Sequence, residues 1–284
     1  MPRRTILTAR QRERLLNLPT DEVTLLKHYI LSDEDLEQIR KRRRAHNKLG
    51  FALQLCALRY PGRLLAEGEI IPLEILNFLA AQIGLNAKNL EGYAEREETR
   101  HEHLAAIRSL YSYKSFSGRV ASELKAWLFD RAVDARSSEG LVRDFAEECR
   151  RRQIILPAIS TIERLCADAL VHAERQIDAT ITDRLDSAAR ERLDIILAEM
   201  VKDQLSRFVW LRQFEIGNNS ADANRLLDRL EFLQKMNISR DIIEGIPAHR
   251  ISRLRRHGER YFIDDLRDMV SERRYAIMTV CILE

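Results

Sequence analysis

Apolar side chains recur along this chain at the three- and four-residue spacing that is typical of helices with one buried face. The spacing is clearest in three segments, 49–57, 73–83 and 162–170. Only short turns interrupt it, and the helix-breaking residues Gly and Pro are scarce, at 10 and 6 of 284 residues. The pattern therefore predicts an all-α fold.

Three serines precede these patterns at positions that are typical of helix caps. Ser32 stands before three acidic residues, which favour the positive end of a helix dipole, and Ser117 and Ser137 open two later segments. One short helix is predicted after Ser32, and a second is predicted to open at Lys48 and to end at Pro61. A turn rich in Arg and Lys would thus join the two helices.

Charge is unevenly distributed, although the net charge is only +3. The first 60 residues hold thirteen Lys and Arg against seven Asp and Glu, a surplus of six that exceeds the surplus of the whole chain. A basic cluster between two short amphipathic helices is what a helix-turn-helix DNA-binding module needs. The alternative is a charged turn that only keeps the protein in solution, and the residue pattern by itself leaves both open.

The sequence carries no recognisable catalytic or metal-binding signature. A Gly-rich phosphate loop, a GxSxG elbow and an HExxH helix are all missing from it. His101 and His103 form a tight histidine pair, but on a helix their rings point roughly 200° apart, so we expect two solvent-exposed histidines. The sequence therefore predicts no catalytic residue, no metal site and no cofactor.

Cysteine usage and hydropathy favour a cytoplasmic protein without membrane contact. Cys56, Cys149, Cys166 and Cys281 show no CxxC spacing and lie in apolar helical patterns, which is typical of buried, reduced thiols. The basic N-terminus lacks a signal-peptide core. The longest apolar run, 276–283, is far shorter than the roughly 20 residues of a membrane span.

A long stretch around the predicted basic turn resembles the N-terminal region of the Tn-three family of replicative transposases. The most specific part of the likeness runs from Leu49 to Arg63, preceded by 31–36 and 42–48. Further matches follow in the same order along the chain: Pro72, Phe78-Leu79-Ala80, Tyr93, Arg96, 99–103, Leu156-Pro157, Glu163-Arg164-Leu165 and 273–277. The resemblance therefore covers essentially the whole chain.

This resemblance implies a role in DNA transposition. Members of the family recognise the terminal inverted repeats of their element through N-terminal helical modules. They cut DNA with a metal-dependent acidic triad in a retroviral-integrase-like domain nearer the C-terminus. We expect this chain to be an N-terminal portion that stops before that domain, so magnesium is expected only there and none of the triad maps onto a position here. The full-length protein is expected to self-associate as a dimer.

The pattern and the resemblance together predict three regions. Residues 1–68 form a first helix-turn-helix module, residues 69–157 a second helical DNA-binding module, and residues 158–284 a helical connecting or dimerisation region. The predicted function is sequence-specific binding of duplex DNA that carries terminal inverted repeats. The alternative is a helical interaction scaffold or dimerisation module that binds DNA only without specificity.

Candidate DNA contacts cluster in the basic turn, because Arg can pair with guanine and Asn with adenine in the major groove. The predicted base-reading residues are Arg43, Arg44, His46 and Asn47. The predicted phosphate-binding residues are Arg40, Lys41, Arg42, Lys48, Arg59, Arg63, Arg96, Arg100, His101, Tyr113, Lys114 and Arg119. Two alternatives stay open: Arg59 and Arg63 could pair with acids such as Glu67, and Tyr111 and Phe116 could pack the segment around Tyr113 onto the core.

Overall fold

The computed structural model describes residues 6–93, 97–199, 206–212 and 220–284. Fifteen α-helices occupy these ranges, together with two short 3-10 helices and an isolated bridge between Lys114 and Ile154. The predicted all-α fold is confirmed. The chain divides into two compact units, Met1–Ala169 and Leu170–Glu284, and each is described by itself below.

Within the described residues, the first unit contains eight complete α-helices and the start of a ninth. They are α1 (Ala9–Leu16), α2 (Glu22–His28), α3 (Asp33–Arg40), α4 (Ala45–Arg59), α5 (Leu73–Gln82), α6 (Glu97–Leu110), α7 (Gly118–Asp134), α8 (Ser138–Arg151) and the start of α9 (Ile159–Asp183). Of the predicted caps, Ser32 and Ser137 accept backbone hydrogen bonds from Asp35 and Gly140. Ser117 also stands at a helix start, but without a side-chain capping bond.

Helix α4 is the centre of the first unit. Every residue from Leu49 to Leu58 is buried, because apolar side chains occupy all faces of this segment and not one stripe. Ile39 of α3, Leu79 of α5 and Ile107 of α6 belong to the same core. This core contains residues from both sides of position 68, so the predicted modules 1–68 and 69–157 share it.

The start of α4 differs from the prediction. The helix begins at Ala45, three residues before Lys48, because the amide of Lys48 already donates to the carbonyl of Arg44. The expected start at Lys48 was therefore wrong, and His46 and Asn47 lie within the first helical turn.

A buried carboxylate, that of Asp35, joins three elements around α4. Its side chain is 1% exposed and accepts two hydrogen bonds from Nη2 of Arg59, at 2.7 and 2.8 Å. The hydroxyl of Tyr111, just after α6, and the backbone amide of Ser32 each donate a further bond at 2.8 Å. Burial alone would raise the pKa of Asp35, but the bonds from Arg59 and Ser32 outweigh it and lower the pKa.

Helix α1 and the residues before it contact α8 and the start of α9, the last helices of the first unit. Arg12 makes a bidentate ion pair with Glu163 of α9, at 2.9 and 3.0 Å, and the amide of Leu7 donates to the same carboxylate. Ser138 of α8 donates to the carbonyl of Ile6. Residues near the beginning of the chain are thus part of the same compact unit as α8 and the start of α9.

The second unit contains the end of α9 and six further helices. They are α10 (Ser187–Ala198), α11 (Arg207–Arg212), α12 (Ser220–Met236), α13 (Ala248–Arg260), α14 (Ile263–Asp268) and α15 (Ser271–Leu283). Helices α13 and α15 approach closely at Gly258, where a Cβ atom would collide with Sγ of Cys281. The predicted thiols are confirmed as free of disulfides, with Cys281 only partly buried and the other three buried.

Replacing Asp35 with Asn should destabilise the first unit strongly. The substitution leaves the guanidinium of Arg59 without its charged partner, and we expect a loss of about 3 kcal/mol in the free energy of unfolding by urea at neutral pH. The pKa of Asp35 is lower in the folded than in the unfolded chain, so its contribution is present at neutral pH and is lost as the pH falls below 3.8, the ordinary pKa of an Asp side chain. The difference between the variant and the wild type should shrink accordingly.

Asp33→Asn is the matched control for this experiment, because Asp33 lies exposed in the same first turn of α3. It should cost less than about 1 kcal/mol, the scale of a helix-dipole interaction. Equal losses for the two variants would show that Asp35 acts only through the helix dipole and does not join the three elements.

Candidate nucleic-acid interface

Cations are concentrated where α3 ends and α4 begins. We call residues 40–48 the basic turn; they include the last residue of α3 and the first four residues of α4. Arg40, Lys41, Arg43 and Arg44 are exposed, whereas Arg42, His46, Asn47 and Lys48 are partly buried. All four predicted base-reading residues are therefore neighbours on one short stretch. Lys41 pairs with Glu37 at 3.0 Å, but both side chains are more than half exposed, so this pair holds Lys41 only weakly.

Three exposed arginines of the basic turn have no partner among the described residues. Within the described ranges, Arg40, Arg43 and Arg44 make neither a hydrogen bond nor an ion pair through their side chains. Their charges are consequently available to an external anion.

The N-terminus of α4 adds to this positive character. Arg44 occupies the capping position in an extended conformation, and its side chain makes no capping hydrogen bond. The first amides of a helix lack partners within the helix and form the positive end of its dipole. An uncapped helix start flanked by free guanidinium groups favours a phosphate or another anion.

Burial restricts which part of α4 can touch a ligand. A recognition helix that lies along the major groove needs an exposed face, but α4 has none between Leu49 and Leu58. Contacts from this helix can come only from its first turn. The almost entirely apolar sequence of residues 49–58 is the signal from which this burial could have been predicted.

Arg42 is oriented differently from its neighbours. Its guanidinium carbon lies 4.4 Å from the centroid of the Phe51 ring, and its Nε atom is buried without a hydrogen-bond partner in the described residues. The ring of Phe51, on α4, is completely buried.

His103 was expected at the surface, and this prediction is wrong. The side chain is 4% exposed, lies edge-on against Phe51 at 5.3 Å, and stacks on Tyr93 at 5.7 Å. Burial and the nearby charge of Arg42 lower the pKa of His103 to about 4, so it is neutral at physiological pH. Helical spacing fixed the relative directions of His101 and His103, but not which of them faced the core. His101 is indeed exposed.

Two predicted phosphate-binding arginines are engaged inside the protein. Arg59 pairs with Asp35, and Arg63 pairs with Glu69 at 2.5 Å while donating to the carbonyls of Leu16 and Leu64. The alternative of acidic partners is therefore what the structure contains, with Asp35 and Glu69 in place of Glu67. Both guanidinium groups therefore stabilise contacts between α4, or the loop after it, and earlier parts of the chain.

The predicted contacts on α6 lie away from the basic turn. Arg100 donates to the carbonyl of Leu65 at 3.1 Å, and together with His101 it lines a small cavity beside Leu64. Arg96 falls outside the described residues.

The segment before α7 combines packed aromatic residues with exposed cations. Tyr111 and Phe116 do pack this segment, through the bond to Asp35 and an edge-on contact with Phe145. Tyr113 is partly buried, and burial raises its pKa to about 12. Lys114 is exposed, and Arg119 is 91% exposed with an i,i+4 pair to Glu123.

Many arginines of the second unit donate hydrogen bonds to groups within the protein, a role that the sequence did not predict. Eight of those described donate to backbone carbonyls, mostly near the ends of helices and turns: Arg184, Arg190, Arg192, Arg212, Arg229, Arg240, Arg256 and Arg267. The last carbonyls of a helix lack partners within the helix, so an arginine that reaches them stabilises the end. The high Arg content of this unit therefore has a structural cause.

The described residues offer no metal site and no membrane span. No group of three His, Cys, Asp or Glu side chains within these ranges could hold a metal ion. None of the helices described is long and apolar enough to cross a bilayer. The cytoplasmic location stays a prediction.

Comparison with known proteins identifies the relatives of this chain. A family model described as "Domain of unknown function (DUF4158)" matches residues 6–169. The transposases of transposons Tn3926 and Tn21, both from Escherichia coli, are 35% and 32% identical over the whole chain, which covers 29% of each. The transposase of transposon gamma-delta from Escherichia coli K12 is 27% identical over 91% of the chain and 26% of its own length.

The chain thus spans less than a third of the curated relatives that it matches, and the matching part is their N-terminal region. It belongs to the DUF4158 family and is homologous over its full length to the N-terminal part of Tn-three family transposases.

Proposed function

We propose that this chain binds the terminal inverted repeats of a transposon as duplex DNA, and that the basic turn makes the specific contact. One observation carries the proposal: Arg40, Arg43 and Arg44, between the end of α3 and the uncapped start of α4, are exposed and have no side-chain partner among the described residues. Arginines elsewhere, such as Arg59 and Arg63, are committed to partners within the protein. The relation to transposases supports DNA as the anion that this surface meets.

The residues of the basic turn divide into two roles. Arg43 and Arg44, next to His46 and Asn47 in the first turn of α4, read base edges, since these side chains offer the donors and acceptors that distinguish base pairs in the major groove. Arg40, Lys41 and Lys48 flank them and neutralise phosphates, which fixes register on the duplex.

The burial of α4 determines how this contact is made. The first turn of α4 enters the major groove end-on, because the residues that follow it, Leu49 to Leu58, are buried. The major groove, roughly 12 Å wide, admits a helix end with its flanking side chains. A single insertion of this kind reads only a few base pairs, so recognition of a longer repeat needs further contacts.

A second contact comes from the segment before α7. Lys114 and Arg119 are exposed there, and both are suited to phosphates. Tyr113, Arg100 and His101 are partly buried or directed elsewhere, so they contribute less.

Cutting and joining of DNA belong, in this proposal, to the part of the relatives that the chain does not match. The described residues do not gather the acidic ligands that magnesium needs. The chain accordingly supplies recognition, and we assign no catalytic step to it.

Self-association is a second candidate function, favoured by α12. Leu226, Leu227 and Leu230 are 42%, 56% and 46% exposed on this helix. Leucines at i, i+1 and i+4 form an apolar strip on one side of a helix, which is suited to packing against a second copy. This candidate concerns the dimer that was predicted for the full-length protein.

Removing one charge from the basic turn should weaken DNA binding in a defined way. Arg43→Gln and Arg44→Gln should each lower the affinity for a labelled inverted-repeat duplex by roughly 5- to 150-fold, the range for one bidentate base contact. The loss should be larger for the repeat than for a random duplex of equal length. Fluorescence anisotropy over a salt series measures both quantities.

Arg164→Gln is the matched control, because Arg164 is an exposed arginine of α9 and the change in charge is the same. It should leave the affinity within about twofold of the wild type. Equal binding of the wild type to repeat and random duplexes would contradict the proposal, as would equal losses for Arg43→Gln and Arg164→Gln.

Disrupting the leucine strip of α12 should abolish self-association. We expect the full chain to dimerise with rising concentration in sedimentation equilibrium, and Leu227→Glu to remain a monomer because a carboxylate cannot be buried in an apolar contact. Val23→Glu, at a 75% exposed position on α2, is the control and should dimerise like the wild type. A wild type that stays monomeric over the whole concentration series contradicts this candidate.

A further inference from the structure

Arg42 lies within the basic turn, yet its side chain is partly buried and packs against the core. The guanidinium is placed over the face of Phe51 at 4.4 Å, and Nε is buried without a hydrogen-bond partner in the described residues. Arg40, Arg43 and Arg44, by contrast, are exposed and make no side-chain hydrogen bond or ion pair with a described residue. The contact with the aromatic face is therefore the interaction that holds this side chain in place.

The ring of Phe51, beneath Arg42, is the first of three side chains that pack in a row, and we call Phe51, His103 and Tyr93 the column. His103 of α6 packs edge-on against Phe51, and Tyr93 stacks on His103 with an interplanar angle of 22°. Nε2 of Gln54 donates to the hydroxyl of Tyr93 at 2.7 Å, and this hydroxyl lies 3.2 Å from Nδ1 of His103. The tautomer of the imidazole decides which of these two atoms donates.

Burial and the charge of Arg42 lower the pKa of His103 to about 4, so its imidazole is neutral at physiological pH. His103 therefore adds no positive charge beside Arg42 at the Phe51 ring. Gly50 completes the fit, because any Cβ at this position would collide with the ring of Tyr93. The contacts of the column link the basic turn to α6 and to the loop that contains Tyr93.

We propose that Arg42 is a positioning residue: its guanidinium, stacked on Phe51, fixes the basic turn so that Arg43 and Arg44 project toward DNA, and it does not itself neutralise a phosphate. This inference rests on the proposed function and assigns Arg42 a different role from that predicted by sequence. We predict that Lys cannot replace Arg at this position. A planar guanidinium stacks on a ring face, whereas the ammonium of Lys is a compact, strongly hydrated point charge.

A Lys substitution separates the two roles, because it keeps the charge and removes the stacking. We expect Arg42→Lys to lower the affinity for the inverted-repeat duplex by about tenfold. The slope of log affinity against log salt should stay that of the wild type, because no charge is lost. Arg42→Gln should lose at least as much affinity.

Arg40 provides the matched control, since it is the exposed phosphate contact two residues away. Arg40→Gln should bind more weakly, with a slope shallower by about 0.9. Arg164→Lys, at an exposed arginine of α9 outside the basic turn, should bind like the wild type. If Arg42→Lys also binds like the wild type while Arg42→Gln has the shallower slope, Arg42 is a phosphate contact and the inference is overturned.

Hydrogen exchange in the free chain tests the positioning without DNA. Amides of residues 41–45 should exchange faster in Arg42→Lys than in the wild type, and they should be unchanged in Arg40→Lys. Unchanged exchange in Arg42→Lys overturns the inference. Should the wild type fail to prefer the repeat over random duplex, the proposed function fails, and the exchange data still decide whether Arg42 fixes the turn.

Discussion

The buried carboxylate of Asp35 is the constraint on which the geometry of the first unit depends. It closes the start of α3, receives Arg59 from the end of α4 and receives Tyr111 from the end of α6. A carboxylate removed from water must be fully hydrogen-bonded, so the three elements can meet in only one arrangement. The basic turn lies between α3 and α4, and its position follows from that arrangement.

Arginine serves two opposite purposes in this chain. In the second unit, guanidinium groups donate to backbone carbonyls such as those of Ile242 and Met236, and these bonds stabilise the ends of helices and turns. In the basic turn, Arg43 and Arg44 have no such acceptor within the described residues. Counting charges along a chain therefore locates a candidate surface only when the internal partners are known as well.

Local features of the fold could be predicted from sequence, and tertiary ones could not. The caps at Ser32 and Ser137 and the helical class follow from a few neighbouring residues, since capping and periodicity are short-range effects. The burial of His103 and the choice of Asp35 as partner for Arg59 depend on elements far apart in the chain. Helical spacing gives relative directions on one helix, but it does not say which direction meets the core.

Chemical modification of arginines by phenylglyoxal, read by mass spectrometry with and without DNA, tests the central claim most directly. An excess of inverted-repeat duplex should protect Arg40, Arg43 and Arg44, which are exposed and have no side-chain partner among the described residues. Random duplex at the same concentration should protect them less. Reactivity of these three residues that is the same with and without the repeat would contradict the account.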